Sequence, residues 1–550
     1  MKLRTNLLCA AVLSALLVPT LALAGNSASL AARASGLIDG SAGRAVQRAD
    51  ADGFVAASTT ADANGTEHVR FARTYRGLPV IGGDFVVHSR NGVLQGVSQT
   101  LRTSARPASL VPQFDSAHAI VEAGSRFGAG FVGTPQSRLV IYALGKARTA
   151  PVLAHEVTLV GRKADQTPTE MHYFIDARSG ALLNRWDAIE TAVPGPDPVC
   201  PGATAVGGIG RTITLGDVSI GTALCGSRYQ LLDVTRGGGV THNMAQRTSG
   251  IGIAFTDADN VWGNNQSTDS ATAGAEAHFG VSTTWDYYSN QHGRNGIADD
   301  GRGALSRVHY GRNYGNAFWN DGCFCMTFGD GNPATTYPLT VLDVAGHEMS
   351  HGVTSRTAGL VYADESGGLN EATSDIFGTM VEFYADNASD PGDYIIGEEI
   401  FKANATLPSG SIPLAIRYMF KPSLDGISPD CYQDDLGDLN VHYSSGVANH
   451  FFYLLAQGSV VPNGFRAGSE ANLRPADLVC SGSAALHGIG RRGAERIWYR
   501  ALTTYMTSDT SYAEARAATI SAARDLYGRG STQATAVAAA WNAVLVHIEQ

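Results

Sequence analysis

The chain has 550 residues, a formal net charge of −10, 16% charged residues and 44% hydrophobic residues. This balance is typical of a globular protein, and the length is enough for about three folded domains. The negative charge argues against a protein that binds nucleic acid or an anionic membrane surface.

Residues 1–24, MKLRTNLLCAAVLSALLVPTLALA, have the pattern of a secretory signal peptide. Lys2 and Arg4 precede an apolar run that ends in the small residues of a cleavage site. The alternative is a transmembrane anchor, but the run is short for a bilayer span. We therefore predict a secreted, extracellular protein without a membrane span.

Residues 25–195 come next, and their alternating apolar runs predict strands. The sequences RNGV and RSGA supply hairpin turns, and helix-like segments lie near 41–49 and 115–127. We predict two small α+β units, at about 41–100 and 110–190.

A proline- and glycine-rich stretch at 191–210 follows. It is either a flexible joint or the place where a pro-region is cut from a mature enzyme. Residues 196–345 carry short strand-like runs and predict a β-rich N-terminal lobe, whereas 346–550 predict an α-helical C-terminal lobe. The predicted helices of this half are 341–355, 368–385, 445–457, 490–506 and 512–527.

Of the seven cysteines, Cys9 lies in the signal segment. The remaining even number suggests disulfide bonds in an exported chain. Zinc binding by cysteine is a weak alternative, because no CxxC motif is present. Six cysteines allow fifteen pairings, which the sequence leaves open. The local choice joins neighbours along the chain: Cys200 to Cys225, Cys323 to Cys325 and Cys431 to Cys480.

The segment DVAGHEMSHGVT at 343–354 carries His347 and His351 four positions apart, with Glu348 beside the first. Residues i and i+4 lie on one helix face, so both imidazoles can bind a single ion while Glu348 stays near a water on that ion. The alternative is an ordinary helix with two histidines, because HExxH fixes only three positions.

A third ligand is expected from a neighbouring helix, since zinc needs at least three protein ligands. In GGLNEATSDIFGTMVEFYAD, Glu371, Asp375 and Glu382 share one helix face. We assign Glu371 to the metal. Asp375 then lies in position to accept the ring N–H of a ligating histidine, the alternative being a surface charge.

The far ends of these two helices carry Asp343 and Glu382, at about 12 to 16 Å from the joined ends by helix geometry. Asp393 and Glu398 follow closely in the chain. Such oxygen ligands suit structural Ca²⁺, and a solvated acidic helix end is the alternative.

With these motifs in place, the chain resembles the thermolysin-like zinc metallopeptidases, peptidase family M4, close to the vibriolysin and pseudolysin branch. The resemblance rests on HEMSH, GGLNEATSDIFGT, AHFGVSTTWDYY, NAFWNDG, VHYSSGVANHFFYLLA and IWYRALTTYMT. It implies an α+β two-lobed peptidase with the HExxH helix between the lobes. It also implies that residues 25–195 are an inhibitory, chaperone-like pro-region.

The resemblance also implies roles for individual residues. Zinc ligands match His347, His351 and Glu371. Catalytic groups match Glu348 as general base, with Tyr362 and His442 stabilising the oxyanion. Substrate-binding groups match Asn316, Ala317 and Arg417. Calcium ligands match Asp343, Glu382, Asp393 and Glu398.

One departure concerns the group that orients His442. Close relatives place an aspartate two or five residues before this histidine, where the chain has Asn440 and Gly437, with Asp438 between them. We place Asp438 beside His442 as one candidate.

The function implied is that of a monomeric, secreted, zinc-dependent neutral endopeptidase, made as a zymogen and cutting proteins on the amino side of bulky apolar residues (P1′). Val344, Ile396 and Ile416 are candidates for the apolar pocket, and each is equally well explained as core.

Three rival functions are weaker. A metzincin needs a glycine and a third histidine where Thr354 and Thr357 stand. A serine protease is suggested only by DESGG at 364–368, without matching His and Asp context. A non-catalytic binding protein on the same fold is argued against by the presence of Glu348 and Glu371.

Overall fold

The computed structural model describes residues 19–189, 200–403, 405, 415–481 and 485–547. Residues 1–18 of the predicted signal peptide and residues 191–199 of the predicted processing segment lie outside this part. The described residues fall into two compact units, one up to Leu110 together with Val140–Val152, the other Val111–Leu139 with the chain from Leu153 onward. No helix within the described ranges is long and apolar enough to cross a membrane.

The first unit pairs a helix with a sheet. Helix α1 (Pro19–Asp39) precedes strands β1 (Asp52–Ala61), β2 (Thr66–Tyr75), β3 (Leu78–Ile81), β4 (Phe85–Arg90) and β5 (Val93–Gln99). Strands β1, β2, β4 and β5 pair antiparallel in that order. Leu30, Ala34 and Ile38 of α1 pack against Phe71 and Phe85 of the sheet.

The helix predicted near 41–49 is wrong: the helix ends at Asp39, and turns follow up to Gln47. The i, i+4 spacing of Leu30, Ala34 and Ile38 gives the earlier segment a continuous apolar face, whereas Gly40 and Gly43 weaken a helix in the later one.

The next elements in the chain are α2 (Ser116–Gly124), β6 (Gly130–Phe131), β7 (Gln136–Tyr142), β8 (Val152–Arg162), β9 (Pro168–Asp176) and β10 (Leu182–Asp187). They belong to the second unit except for Val140–Tyr142 of β7 and Val152 of β8. Strands β8, β9 and β10 form an antiparallel meander. Helix α2 confirms the helix predicted near 115–127, and Asp115 caps it by accepting the backbone N–H of His118.

Strands dominate up to residue 329, as predicted. Their bounds are β11 (Thr204–Arg211), β12 (Asp217–Cys225), β13 (Arg228–Gln230), β14 (Leu232–Asp233), β15 (Gly239–Asn243), β16 (Ile253–Ala254), β17 (Thr256–Asp257), β18 (Val261–Trp262), β19 (Leu305–Tyr310), β20 (Ala317–Asn320) and β21 (Cys325–Gly329). They form two sheets, ordered β17-β13-β12-β11-β18 and β14-β15-β19-β21-β20. The buried helix α3 (Ser270–His292) packs against strands of both sheets.

Helices then take over, as predicted. They are α4 (Leu342–Ser355), α5 (Asp364–Ala385), α6 (Val441–Ser444), α7 (Gly446–Gln457), α8 (Arg491–Arg500), α9 (Tyr512–Tyr527) and α10 (Thr532–Ala543), with a small strand pair β22 (Ile395–Ile396) and β23 (Arg417–Tyr418). The segment predicted as one helix over 490–506 continues from α8 as a π-helical turn, Ala501–Tyr505. The sequence analysis missed α10.

Helices α4 and α5 pack unusually closely, and glycine makes this possible. A Cβ on Gly378 would lie 2.5 Å from the carbonyl oxygen of Asp343, and one on Gly346 would lie 3.0 Å from the Cα of Gly378. Because neither residue has a side chain, the first turns of α4 approach the C-terminal part of α5 closely. This contact brings the HExxH face of α4 against the acidic face of α5.

The disulfide bonds are those expected from neighbour pairing: Cys200–Cys225, Cys323–Cys325 and Cys431–Cys480.

Candidate metal centre and active site

Two helices bring His347, His351 and Glu371 to one point. The Nε2 atoms of His347 and His351, both on α4, are 3.0 Å apart. Glu371 reaches them from α5, with Oε2 at 3.6 Å from Nε2 of His347 and Oε1 at 3.5 Å from Nε2 of His351. One potential ligand atom from each of the three residues lies within 4.8 Å of the other two.

The chemistry of this donor set fits a zinc ion. Burial lowers the pKa of His351 to about 4, which leaves its imidazole neutral. Burial opposes ionisation of Glu371, but the neighbouring His442, His347 and His351 outweigh it and lower its pKa to about 2. Oε2 of Glu371 is buried without a hydrogen-bond donor among the described residues. Two imidazoles and a carboxylate that lacks a full set of donors are the kinds of ligand that Zn²⁺ prefers.

Neighbouring side chains hold both histidines by their other ring nitrogen. Nδ1 of His347 is 2.8 Å from Oδ1 of Asp375, as the sequence analysis expected for this aspartate. Nδ1 of His351 is 2.8 Å from Oδ1 of Asn370, which the sequence analysis missed. These bonds direct both Nε2 atoms to the shared point.

Arg417 pairs with Asp375 through two bonds, Nε to Oδ2 at 2.7 Å and Nη2 to Oδ1 at 2.6 Å. Asn449 donates to the same carboxylate at 2.7 Å. Although burial opposes it, the charge of Arg417 holds the pKa of Asp375 well below its usual range. Asp375 therefore carries a full negative charge behind His347.

Glu348 is buried beside the metal ligands and faces the cleft. Burial raises its pKa to about 7, although a hydrogen bond from the Trp319 backbone lowers it. A carboxyl group with a pKa near neutrality can both accept and release a proton.

Tyr362 and His442 approach the same centre from the other side. The Tyr362 hydroxyl donates to Oε1 of Glu371 and lies 3.3 Å from Nε2 of His442. Nδ1 of His442 is 2.9 Å from Oδ1 of Asn440, so an amide oxygen holds this ring. Asp438 lines the cleft but does not take this place.

A cleft of about 910 Å³ joins these groups. Asn316 and Ala317, at the start of edge strand β20, line it together with Arg417. Its apolar lining includes Leu339, Val344, Ile396 and Ile416. A cleft with an apolar side and convergent polar groups is the usual form of a ligand site.

A second candidate metal site, an acidic cluster, lies at the ends of α4 and α5 that are far from the first site. Ligand atoms of Glu382, Asp390, Glu398 and Glu399 come within 4.8 Å of one another. Asp390 and Glu399 were missed by the sequence analysis. Asp343 and Asp393 are adjacent: Oδ2 of Asp343 accepts the N–H of Gly397 at 2.6 Å, and the N–H of Asp393 donates to Glu382 at 3.0 Å.

Burial and mutual repulsion raise the pKa values of this cluster. Burial raises that of Asp343 to about 7, that of Asp393 to about 6 and that of Glu399 to about 8. One carboxylate oxygen each of Glu382, Asp390 and Glu398 is buried without a hydrogen-bond partner among the described residues.

Known protein families match most of the chain. The description "Thermolysin metallopeptidase, catalytic domain" matches residues 207–355, and "Thermolysin metallopeptidase, alpha-helical domain" matches 358–546. A "Fungalysin/Thermolysin Propeptide Motif" matches residues 52–101.

Individual relatives agree with these matches. The chain is 45% identical over 493 residues to a transglutaminase-activating metalloprotease of Streptomyces mobaraensis, covering 88% of this chain but only 60% of that protein. It is 37% identical over 506 residues to thermolysin of Alicyclobacillus acidocaldarius subsp. acidocaldarius, covering 87% of this chain and 83% of the relative. The narrower likeness to vibriolysin and pseudolysin stays a prediction. The chain belongs to the thermolysin family of metallopeptidases.

Proposed function

We propose that this chain is the zymogen of a secreted, monomeric, zinc-dependent neutral endopeptidase. The observation that carries the proposal is the convergence of His347, His351 and Glu371 with Glu348 beside them in one cleft. Zinc held there would activate a water molecule and polarise a peptide carbonyl.

The chain's own residues supply the rest of the reaction. Glu348 takes a proton from the attacking water and delivers it to the leaving amine, for which a pKa of about 7 is suited. Tyr362 and His442 donate hydrogen bonds to the developing oxyanion, each worth roughly 3 to 4 kcal/mol in comparable sites. Asn316, Ala317 and Arg417 hold the substrate backbone along the cleft.

The apolar lining supports a preference for cleavage on the amino side of bulky apolar residues. Val344, Ile396 and Ile416 line the cleft, and Ile396 pairs with Arg417 between β22 and β23. A large apolar P1′ side chain would bury surface there at about 25 cal/mol per Å².

The second acidic cluster is proposed to bind Ca²⁺ through Glu382, Asp390, Glu398 and Glu399, with Asp343 and Asp393 adjoining. Carboxylates buried this closely repel one another unless a cation or protons neutralise them. The unpartnered oxygens of Glu382, Asp390 and Glu398 are the atoms free to bind the ion.

Residues of the predicted pro-region support its inhibitory role. Gln166 pairs with the backbone of Arg312 by two bonds of 2.9 Å, and Nδ2 of Asn184 donates to Asp364 at 2.9 Å. Lys163, Thr167 and Asn184 line the cleft that holds Glu348. We propose that cutting near 191–200 and removing residues 25–195 opens this cleft, after export directed by residues 1–24.

The test is a pair of substitutions in the purified mature enzyme. We expect Glu348→Gln to keep one zinc per chain and to lose hydrolysis of casein by about a thousandfold or more, because the base is gone while the ligands remain. His347→Ala should lose both zinc and activity. The wild-type enzyme should be silenced by 1,10-phenanthroline and not by a serine-directed reagent. Turnover of Glu348→Gln within tenfold of wild type would refute the assignment.

A further inference from the structure

We propose that the hairpin Asn320–Cys325, closed by the Cys323–Cys325 disulfide, positions the carboxylate of Glu348 and thereby controls kcat. The proposal rests on the proposed function, in which Glu348 is the general base. It assigns the disulfide a role in turnover, beyond holding the chain together.

The hairpin keeps an unfavourable backbone conformation. It joins edge strand β20 to β21, and its disulfide links residues only two positions apart. Phe324, between the cysteines, has a φ of +49°, in the left-handed region. A bulky residue in this region is strained and persists only where its surroundings hold it.

The surroundings of Phe324 are correspondingly close. Its ring is 4% exposed and meets the Trp319 ring edge to face, with centroids 5.3 Å apart. The guanidinium carbons of Arg302 and Arg356 lie 4.9 and 5.7 Å from the ring centroid. These contacts and the disulfide together hold the turn in this form.

Asp321 fastens this hairpin to the C-terminal end of α4. Its Oδ1 accepts the indole N–H of Trp319 at 2.7 Å and the hydroxyl of Ser355 at 3.0 Å. Arg356 pairs with the same oxygen at 2.8 Å. Since Ser355 is the last residue of α4 and Arg356 follows it, the turn and the HExxH helix share one buried carboxylate.

Trp319 connects the hairpin to the reaction. Trp319 lines the cleft together with Glu348, and its backbone N–H is the hydrogen-bond donor that lowers the pKa of this carboxyl group. Its ring packs against Gly352, where a Cβ would lie 2.7 Å from Cζ2. Trp319 is thus held between α4 and the hairpin, and the position of its backbone N–H depends on both.

Opening the disulfide frees this end of the strand. Phe324 can then leave the left-handed region, and Asp321 and Trp319 shift with it, so the N–H donor moves away from Glu348. The zinc ligands come from α4 and α5 and are oriented by Asp375 and Asn370, which belong to α5 and not to the hairpin. The predicted effect therefore falls on turnover and spares the metal.

The experiment compares the mature enzyme with the double variant Cys323→Ser/Cys325→Ser, using Cys200→Ser/Cys225→Ser as the matched control. We expect kcat of the first variant to fall about tenfold, because small misplacements of reacting groups are costly, with KM within about twofold and one zinc per chain retained. The control variant should keep its kcat.

A second measurement uses wild-type enzyme that has already folded. A water-soluble phosphine reduces the bond to two thiols and becomes a phosphine oxide, taking its oxygen from water and leaving the protons on the sulfurs. Alkylation and mass spectrometry then give the open fraction of each disulfide. We expect kcat to follow the open fraction of Cys323–Cys325 alone and to return when a small disulfide reoxidises the pair.

Three results would overturn the inference: an unchanged kcat with the bond open, a raised KM with kcat unchanged, or a loss of activity that follows loss of zinc. Failure of the proposed function itself looks different, because the oxidised wild-type enzyme would then lack chelator-sensitive hydrolysis.

Discussion

Asp375 shows how one side chain can organise a centre without touching the substrate. It accepts hydrogen bonds from His347, Arg417 and Asn449. Asp375 follows Glu371 by four residues, so both lie on one face of α5, and this spacing predicted that Asp375 would contact a ligating histidine. Asn449, Asn370 and Asn440 were not predicted, because an amide carries no charge and its use as an acceptor depends on what the fold places opposite it.

Asn440 gives the first test at this scale. Removing the acceptor in Asn440→Ala leaves Nδ1 of His442 without its 2.9 Å partner, so the ring no longer has a fixed tautomer and orientation. We expect kcat/KM for a peptide substrate to fall about tenfold, as is typical when a positioned acid–base group loses its support.

Asn440→Asp is the matched control, because it keeps the oxygen acceptor and should stay within about threefold of wild type in steady-state assays. Equal activity of the alanine variant and wild type would mean that this bond does not hold the histidine in the working enzyme.

At the scale of elements, the helix pair α4 and α5 is the part of the fold that creates the site. Their bounds agree with the sequence-based expectation because both segments have long buried faces with helical spacing. Their closeness depends on Gly346 and Gly378, whose importance appears only when the helices are packed. By contrast, α10 is rich in alanine, and its few apolar anchors, such as Trp541, gave no clear periodic signal.

Gly378→Ala tests the close approach. The added methyl group would lie 2.5 Å from the carbonyl oxygen of Asp343, so the helices must separate. We expect a loss of roughly 1 to 3 kcal/mol in unfolding free energy, together with weaker zinc binding, measured by urea unfolding and by competition with a chelator. Gly530→Ala, at an open position outside the pair and outside the left-handed region, controls for a general effect of losing a glycine. Retained zinc affinity in Gly378→Ala would contradict the packing argument.

An ion-pair cluster on strands β8 and β9 of the predicted pro-region should make the stability of this chain depend on pH. His172 is half-buried, which by itself lowers its pKa, but hydrogen bonds from its ring to Glu156 at 2.7 Å and Glu170 at 3.4 Å raise the pKa to about 9. The folded state therefore binds the proton more tightly than the unfolded chain. The stabilisation is complete below pH of about 6.5 and is lost as pH rises through about 9.

Urea unfolding of the inactive full-length Glu348→Gln chain, with and without His172→Gln, measures this contribution. The second substitution should cost roughly 2 to 3 kcal/mol at pH 6 and little at pH 10. A difference that stays constant with pH would show that His172 stabilises by packing, for example against Trp186, rather than by charge.

At the scale of the whole molecule, two metal sites are proposed on one helix pair. Loss of the ion from one site should leave the other site occupied. The acidic cluster at the far ends brings together residues from α5 and from the loop after it. Without a cation, burial and mutual repulsion oppose ionisation of these carboxylates. This lowers the free energy of unfolding.

Removal of calcium from the mature enzyme with EGTA should lower the melting temperature by about 5 to 10 °C while zinc content stays at one per chain. Glu398→Gln should abolish the protection that added Ca²⁺ gives, measured by differential scanning calorimetry with Mg²⁺ as the control ion. A melting temperature that is indifferent to Ca²⁺ in wild type would contradict the proposed site.

The sequence by itself determined what depends on short spacing along the chain. Two histidines at i and i+4, acids in helical phase and neighbouring cysteines are brought together by local geometry, because a helix repeats every 3.6 residues whatever surrounds it. The family resemblance then supplied the two-lobed α+β fold and the partners from distant segments, such as Tyr362, His442 and Arg417.

Only the tertiary structure decided which groups from remote segments meet. The N–H of Trp319 on Glu348, the amide of Asn449 on Asp375 and the membership of Asp390 and Glu399 in the acidic cluster follow from the path of the chain. Such contacts have no fixed sequence spacing, since they depend on how closely the elements pack. That is why the zinc ligands and Asp375, which lie in helical phase, were predictable, whereas the amide, backbone and carboxylate groups from remote segments were not.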